Sequence, residues 1–447
     1  MITRRAVTAG LATSLIGLPR AALAQSPAPA QPGVLKAEPN LVRLQPDARS
    51  EVEAWTFGKT LAPAFRIRHG EELNLTLANE TDLPLSLHFH GVRGPNAIDG
   101  VGGLTQDPVP PGRSYDYRFV PPDAGTFLIR PCVLGRSAEP QERGLSGLLI
   151  VEEANPPQVD RDLALLVDDW SLDGNGSLTP FEKPSGAAPA GRLGSWLGLN
   201  GQPTPQRIEA PPGGRLRLRL ANACNARAMR LRFDGLKAYV IAVDGQPTST
   251  FEPLRASLPF APGTRYDLLV DMPPEAGATG AVVALIGDGL PLLEIAAAGE
   301  RRPALPAIAP LPANTKLPET IRLQNATRKD VVIKGDPKAP SAPWTINGAA
   351  GQPTGSPLVK VKRGSPLVLT LTNQTAFMQP LHLHGHSFRL LHALDDGWEP
   401  YWLDTVQVPE NRTVRIAFVA DNPGRWLLAS TVLERFDAGL WTWIEVT

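Results

Sequence analysis

The sequence is poor in cysteine, carries no net charge and lacks long apolar segments. Its two cysteines, Cys132 and Cys224, cannot form a disulfide framework, and whether they pair with each other stays open at this point. The 44 Lys and Arg residues balance the 44 Asp and Glu residues, so the net charge favours neither nucleic acid nor an anionic membrane as a partner. Beyond the N-terminus no stretch is long and apolar enough to cross a bilayer, which predicts a mature chain without a membrane span.

The N-terminus has the features of an export signal. Arg4 and Arg5 form a twin-arginine pair ahead of a mildly hydrophobic run that ends near Leu18. Ala22 and Ala24 supply the small residues of a cleavage site. The hydrophobic run of about 14 residues is shorter than the ~20 that a membrane-spanning helix needs. We therefore predict a twin-arginine-type signal peptide over residues 1–24 and a periplasmic mature protein.

An internal repeat indicates three related all-β units. The segment 70–91 matches the segment 364–385 without a gap. In both, leucines alternate with other residues, as in a half-buried strand, and both end in His-x-His-Gly. A third copy begins at Gly213 but has Leu231 and Phe233 where the other two have histidines. The 47 prolines and 41 glycines suit many short strands joined by turns.

The breaks between these units divide the chain into three domains. They fall near residues 153–160 and in the Pro/Ala-rich stretch 301–317, which has the composition of an extended linker. We expect β-sandwich domains over residues 35–155, 156–305 and 315–447, with no metal motif in the middle domain.

The repeated histidine pairs point to metal chemistry. Residues i and i+2 of a strand share one face, so His88 with His90, and His382 with His384, form two chelating pairs. If the first and third domains face each other, four imidazoles converge, and neutral imidazole suits copper, zinc and nickel. The remaining histidines on nearby segments are expected to be structural: His69, His386 and His392.

Further motifs resemble those of the multicopper oxidases, the family of laccases and copper-efflux oxidases, over nearly the whole mature chain. His88-Phe89-His90-Gly91 is similar to the family's first ligand motif, and residues 379–388 are similar to its third. The resemblance also rests on several other segments: Asp99-Gly100, Thr105-Gln106, Pro110-Pro111-Gly112, Asp168-Asp169-Trp170, Asn200-Gly201 and residues 261–267. It implies an all-β chain of three consecutive cupredoxin-like Greek-key β-sandwich domains, with copper as the family's cofactor.

Several ligand positions of the family's pattern are occupied by other residues. In the second motif Arg130 and Cys132 stand where two histidines would bind the paired coppers of the trinuclear cluster. The mononuclear copper site and the fourth motif have lost their ligands as well: Gln379, Ala429, Ser430, Thr431 and Arg435 stand at these positions. By this resemblance the mononuclear site lacks both its histidines and its thiolate, and the cluster keeps half of its histidines. Since no blue copper centre remains to take electrons from a reductant, we expect no laccase-type oxidase activity.

Two main hypotheses for the surviving histidines stay open. In the first, one copper or zinc ion is held by His88, His90, His382 and His384, with Cys132 as a further donor and Asp99 orienting an imidazole or a water. In the second, the protein binds no cofactor and acts as a scaffold or assembly factor for protein partners in the periplasm, as do some copper-free relatives associated with cell division. A third and weaker hypothesis is residual oxidoreductase chemistry at a lone copper.

Arg130 separates the two main hypotheses. A divalent ion about 6 Å from its guanidinium would be repelled by roughly 5 kcal/mol at an effective dielectric constant near 20. Without metal, Arg130 is expected to point between the histidine pairs and to pair with Asp99 or Glu434. With metal, it is expected to point away from them, where Asp99, Glu139 or Glu434 could neutralise it.

Overall fold

A computed structural model describes residues 33–45, 51–181, 190–335, 344–395 and 397–447. The predicted signal peptide over residues 1–24 lies outside these ranges. Within them the chain is 49% strand and 5% helix, and its strands form six sheets. The sheets pack in pairs as three consecutive sandwiches, which confirms the predicted all-β fold.

The first sandwich consists of two four-stranded sheets, with strand orders β2-β1-β4-β6 and β3-β8-β7-β5. A short helix, α1, precedes the last strand. The elements are β1 (Val34–Val42), β2 (Val52–Phe57), β3 (Ala64–Arg68), β4 (Leu73–Asn79), β5 (Leu87–His90), a 3-10 turn (Asn96–Ile98), β6 (Arg113–Phe119), β7 (Gly125–Pro131), α1 (Ala138–Glu142) and β8 (Gly147–Glu152).

The second sandwich pairs a seven-stranded sheet, in the order β11-β10-β9-β13-β18-β15-β16, with a five-stranded sheet, in the order β12-β20-β19-β14-β17. Its elements are β9 (Arg161–Trp170), β10 (Trp196–Leu199), β11 (Gln202–Pro203), β12 (Gln206–Ala210), β13 (Arg215–Asn222), β14 (Met229–Asp234), β15 (Lys237–Val243), β16 (Gln246–Phe251), a 3-10 turn (Leu254–Ala256), β17 (Ser257–Phe260), β18 (Arg265–Asp271), β19 (Thr279–Ala284) and β20 (Leu290–Ala297).

The third sandwich has two five-stranded sheets, in the orders β22-β21-β24-β28-β26 and β23-β30-β29-β25-β27. A second short helix, α2, precedes the last strand. The elements are a 3-10 turn (Leu323–Asn325), β21 (Thr327–Lys334), β22 (Thr345–Ile346), β23 (Val359–Val361), β24 (Ser365–Asn373), β25 (Gln379–Leu383), β26 (Arg389–Leu391), β27 (Thr405–Val408), β28 (Thr413–Ala420), β29 (Gly424–Ser430), α2 (Leu433–Asp437) and β30 (Trp441–Val446).

The sequence repeat corresponds to the equivalent strands β4, β13 and β24, one in each sandwich. Their alternating leucines are buried in three separate cores. Each strand ends in a buried asparagine whose amide donates to at least two backbone carbonyls and so closes the following turn: Asn79 to Leu83 and Val109, Asn222 to Arg227 and Phe260, and Asn373 to Phe377, Val408 and Pro409. The shared pattern of leucines and asparagine therefore specifies one local structure three times.

The helices of the described ranges are short. The two α-helices have five residues each, and none of the helices has the length and apolar character that a membrane crossing requires. Cys132 and Cys224 are both buried and free.

Candidate metal centre between the first and third domains

Two equivalent strands bring the four predicted histidines together. His88 and His90 lie on β5, while His382 lies on β25 and His384 follows that strand directly. Between the histidines of β5, Phe89 points the other way, into the core of the first sandwich, where it contacts the rings of Tyr117 and Phe119. Alternation along the strand therefore turns the histidines toward the neighbouring domain. All four are at most 2% exposed.

The histidines pack as two pairs, each with one ring from either domain. His88 stacks on His384 with ring centroids 3.9 Å apart, and His90 stacks on His382 at 3.6 Å. Between the pairs, the Nε2 atoms of His88 and His382 lie 3.3 Å apart. Ligand atoms of His88, His90 and His382 all lie within 4.8 Å of one another, which is close enough to surround one ion.

Backbone carbonyls determine which nitrogen of His88 and His382 carries the hydrogen. Nδ1 of His88 is 2.7 Å from the carbonyl oxygen of Asp99, and Nδ1 of His382 is 2.9 Å from that of Asp404. Since a carbonyl can only accept, both Nδ1 atoms donate, and each neutral ring keeps a lone pair on Nε2. The two lone pairs then face each other across 3.3 Å. A positive ion between them would remove this repulsion, and an Nδ1–H bonded to a carbonyl is the usual support of a metal-binding histidine.

His90 and His384 are held by side chains instead. Nε2 of His90 is 2.9 Å from the hydroxyl of Thr405, and its Nδ1 is buried without a partner among the described residues. Nδ1 of His384 lies 3.0 Å from one carboxylate oxygen of Asp99, Oδ2, and Nδ1 of His88 lies 3.3 Å from the other, Oδ1. Asp99 therefore bridges two of the histidines, in the orienting position that the sequence suggested for it.

Burial keeps the rings of His90, His382 and His384 neutral near pH 7. It lowers the pKa of His90 well below its ordinary value, with further lowering from the neighbouring His382. It also lowers the pKa of His382 to about 4 and that of His384 to about 3. Burial works to raise the pKa of Asp99, but His384 and His88 hold it below its ordinary value, so this carboxylate is ionised. Neutral imidazoles beside an ionised carboxylate are the protonation states that bind a metal.

The middle domain closes the site with an ion pair that the sequence did not reveal. Arg265 of β18 donates two hydrogen bonds, of 2.5 and 3.0 Å, to the carboxylate of Asp404. Asp404 in turn lies 3.3 Å from His382 and 3.5 Å from His90. Gly91 has a positive φ of 94°, and a Cβ there would overlap both Arg265 and Asp404. The only available signals were Arg265 within a family segment and the glycine after each histidine pair, and neither identifies Asp404 or Thr405.

Arg130 lies beside the histidines without the expected carboxylate. It pairs with His88 in the register of β5 and β7, and it is 7% exposed. Its charge also lowers the pKa of His90. Among the described residues it has no ion-pair partner, and its Nε has no hydrogen-bond acceptor.

The predicted partners of Arg130 are therefore wrong, because other groups bind them. Asp99 contacts His384 and His88, and Glu139 pairs with Arg143. Glu434 accepts a hydrogen bond from Asn225. Burial accordingly lowers the pKa of Arg130 to about 10.

Cys132 is not placed to be a further metal donor. It packs in an apolar cluster with Ala429, Phe436, Trp441 and other residues. Burial raises the pKa of its thiol, and within the described ranges its sulfur belongs to none of the groups of converging ligand atoms. Cys132 and Ala429, which the family pattern matches to ligand positions, therefore both lie in apolar packing.

The residues that the family pattern matches to the mononuclear copper site are engaged in hydrogen bonds and a cation–π contact. Arg435 donates to the side-chain oxygen of Gln379 at 2.8 Å and lies over the ring of Trp344. The two residues are therefore in direct contact, and their assignment to one former copper site stays a prediction. Ser430 hydrogen-bonds the backbone of Val432.

Thr431 and the remaining histidines make other contacts. Thr431 bonds the carbonyl of Pro380. His386 is buried against Phe418 and Trp426, with Nδ1 on the carbonyl of His384. His69 and His392 belong to no group of converging ligand atoms among the described residues.

Comparison with known proteins gives a consistent result along the chain. Three family models, each described as multicopper oxidase, match residues 41–156, 163–283 and 312–447. The chain is 29% identical to multicopper oxidase MmcO of Mycobacterium tuberculosis over 84% of this chain and 80% of that protein. It is 32% identical to the crystal structure of a multicopper oxidase from Pseudomonas thermotolerans, with a TM-score of 0.83 over 94% of this chain and 100% of the other. The multicopper oxidase structure from Pseudomonas parafulva gives 32% identity and a TM-score of 0.83 over 92% and 99% of the two chains.

Proposed function

The chain belongs to the multicopper oxidase family, with its three cupredoxin-like domains, and on that premise we propose that it is an exported protein that binds one copper or zinc ion at its converging histidines. His88, His382 and His90 would hold the ion. Asp99 would orient His88 and His384 through their Nδ1 atoms. We further propose that it lacks the mononuclear copper through which the family's oxidases take up electrons, and that it has no laccase-type activity.

The separation of the facing histidine nitrogens is the observation that carries the proposal. Two Nε2 atoms 3.3 Å apart, each about 2.0–2.1 Å from an ion, subtend an angle close to the tetrahedral value of about 109°. Both rings already have the tautomer that exposes a lone pair, since Asp99 and Asp404 bind the opposite nitrogens. When bound, the ion would supply a positive charge and Lewis acidity between them. His90 offers the third nitrogen within the same group.

The residues at the former mononuclear site support the loss of electron entry. The guanidinium of Arg435 contacts Gln379, and together they fill two ligand positions with a cation and a neutral amide. Neither binds copper in these roles, because arginine stays protonated and the amide oxygen is already hydrogen-bonded. Ser430 has no thiolate to give a blue centre.

A second candidate function is a metal-free scaffold for protein partners in the exported compartment. The buried charge of Arg130 beside His90 favours it, because a guanidinium near the histidines opposes a divalent cation. On this hypothesis the stacked imidazoles serve only to join the first and third domains.

Metal titration of the purified, chelator-treated full chain tests the proposal. The wild type and an exposed-histidine control, His392→Ala, should each bind one equivalent of zinc or copper more than His382→Ala binds. Loss of a direct ligand should weaken binding by about a hundredfold or more, since even outer partners cost 10–100-fold. Absence of any His382-dependent ion in the wild type would reject the metal hypothesis and leave the scaffold.

A further inference from the structure

A second group of buried metal-type donors lies far from the four histidines in the sequence, at the junction of the three domains. Asp168 and Asp169 lie near the end of β9, and Cys224 lies in the turn after β13, all in the middle domain. The short helices α1 and α2 of the outer domains approach the same region, with Glu142 at the end of α1. The two aspartates, the cysteine and Glu142 are each 3% exposed or less.

The carboxylates of this group exceed the cations that face them. Arg227 binds Asp169 at 2.6 Å, and Arg192 binds Glu142 at 3.0 Å. Asp168 has no cationic partner within the described part of the chain. It accepts only the amide of Asp169 and a long hydrogen bond from Ser146. A buried carboxylate without a cation has to be neutralised by a proton or by a bound ion.

Two acceptor atoms of this group are buried and unused within the described ranges. Oδ1 of Asp169 and Oε2 of Glu142 are buried and have no hydrogen-bond partner among the described residues. One carboxylate oxygen from each aspartate and the sulfur of Cys224 all lie within 4.8 Å of one another. A thiolate with two carboxylates is a donor set that zinc accepts.

Cys224 replaces a residue whose structural role is visible in the two outer repeats. Two positions after the strand-ending asparagine stand Thr81 and Thr375, each with its hydroxyl bonded to that asparagine. In the middle repeat Cys224 keeps the backbone bond to Asn222 but has no hydroxyl. Its thiol lies beside Asp169 instead. The turn itself therefore does not account for a cysteine at this position.

We propose that Cys224, Asp168 and Asp169 form a second metal site, for a divalent ion of zinc type, with Glu142 adding negative charge nearby. Binding replaces the hydrogen of the Cys224 thiol by the ion, so at least one proton is released to solvent for each ion bound. The site is separate from the four-histidine group, and it does not depend on the function proposed for that group.

Cobalt(II) serves as the probe, because a thiolate ligand gives it a near-ultraviolet charge-transfer band that imidazole does not give. The full chain is refolded with Co²⁺ and titrated. We expect the band in the wild type, in His382→Ala and in the matched control Cys132→Ser, and its loss in Cys224→Ser. A wild type without the band, or a band that survives Cys224→Ser, would overturn the proposal.

A second variant, Asp168→Asn, tests the site independently in case Cys224→Ser fails to fold. Asp168→Asn keeps the shape of the side chain and removes the carboxylate that has no cation, so the metal-free variant should be at least as stable as the wild type. Its cobalt affinity, followed by the same band, should fall by about tenfold or more. Unchanged affinity in a folded Asp168→Asn variant would contradict the site.

Discussion

Replacing Arg130 by methionine should stabilise the metal-free protein and strengthen metal binding at the histidines. Burial lowers the pKa of Arg130 from 12.5 to about 10, which corresponds to about 3 kcal/mol of folded-state destabilisation. Methionine is unbranched, of similar length and uncharged, so it can occupy the same space without this cost. Because the folded-state pKa is lowered, the destabilisation by Arg130 is fully present below about pH 10. It decreases as the pH rises toward 12.5, the pKa of arginine in the unfolded chain.

The effect on metal affinity follows from the same charge. At about 6 Å and an effective dielectric constant near 20, a guanidinium opposes a divalent ion by roughly 5 kcal/mol. Side-chain movement reduces this figure, so we expect an affinity gain of between about tenfold and 10⁴-fold. Zinc titration and urea denaturation with chelator measure the two effects, and the exposed Arg136→Met is the control, expected within about 0.5 kcal/mol of the wild type. If Arg130→Met changed neither stability nor affinity, the charge of Arg130 would be compensated and the electrostatic argument would be wrong.

Three further predictions address other parts of the structure. Ser430→Cys alone should give no intense thiolate–copper absorption, because Gln379 and Arg435 still stand in place of the two imidazoles. A protein that turns blue when copper is added would show that these positions are misassigned. Gly91→Ala should lower the free energy of unfolding by at least about 2 kcal/mol more than Gly70→Ala. The two glycines have similar positive φ values, 94° and 93°, but only Gly91 lies against Arg265 and Asp404. Equal urea midpoints for the two variants would contradict this close contact of Gly91. Burial beside Asp404 raises the pKa of Asp244 from 3.8 to about 7, so ionisation of Asp244 destabilises the fold as the pH rises through this interval. The free energy of unfolding of Asp244→Asn, measured relative to the wild type, should therefore increase by up to roughly 4 kcal/mol between about pH 4 and pH 8. Stability curves that run parallel over this range would refute the prediction.

The sequence was sufficient for the parts of the site that the repeat encodes. Alternating leucines identify β4, β13 and β24, and the two His-x-His pairs follow at a fixed offset, so their shared face is readable from the strand period. Gln379 and Arg435 are in contact, but their assignment to a former copper site still rests on the family pattern alone.

The remaining parts of the site depend on contacts between domains. Asp404, Thr405 and Arg265 reach the histidines from a loop, a strand edge and another domain, and no periodicity relates them. The partners proposed for Arg130 failed because each carboxylate binds a different donor, which only the folded packing decides. Cys132 was considered a donor by position, but its side chain lies in an apolar layer.

The stacking of one imidazole from each domain also fixes when the centre can form. His88 and His382 are 294 residues apart, and each stacked pair contains one ring from either end of the chain. Contacts of such long range form late, because the loop between them must first be ordered. An N-terminal fragment ending before β24 would hold only half of each pair, so the centre is completed only after the third domain has left the ribosome.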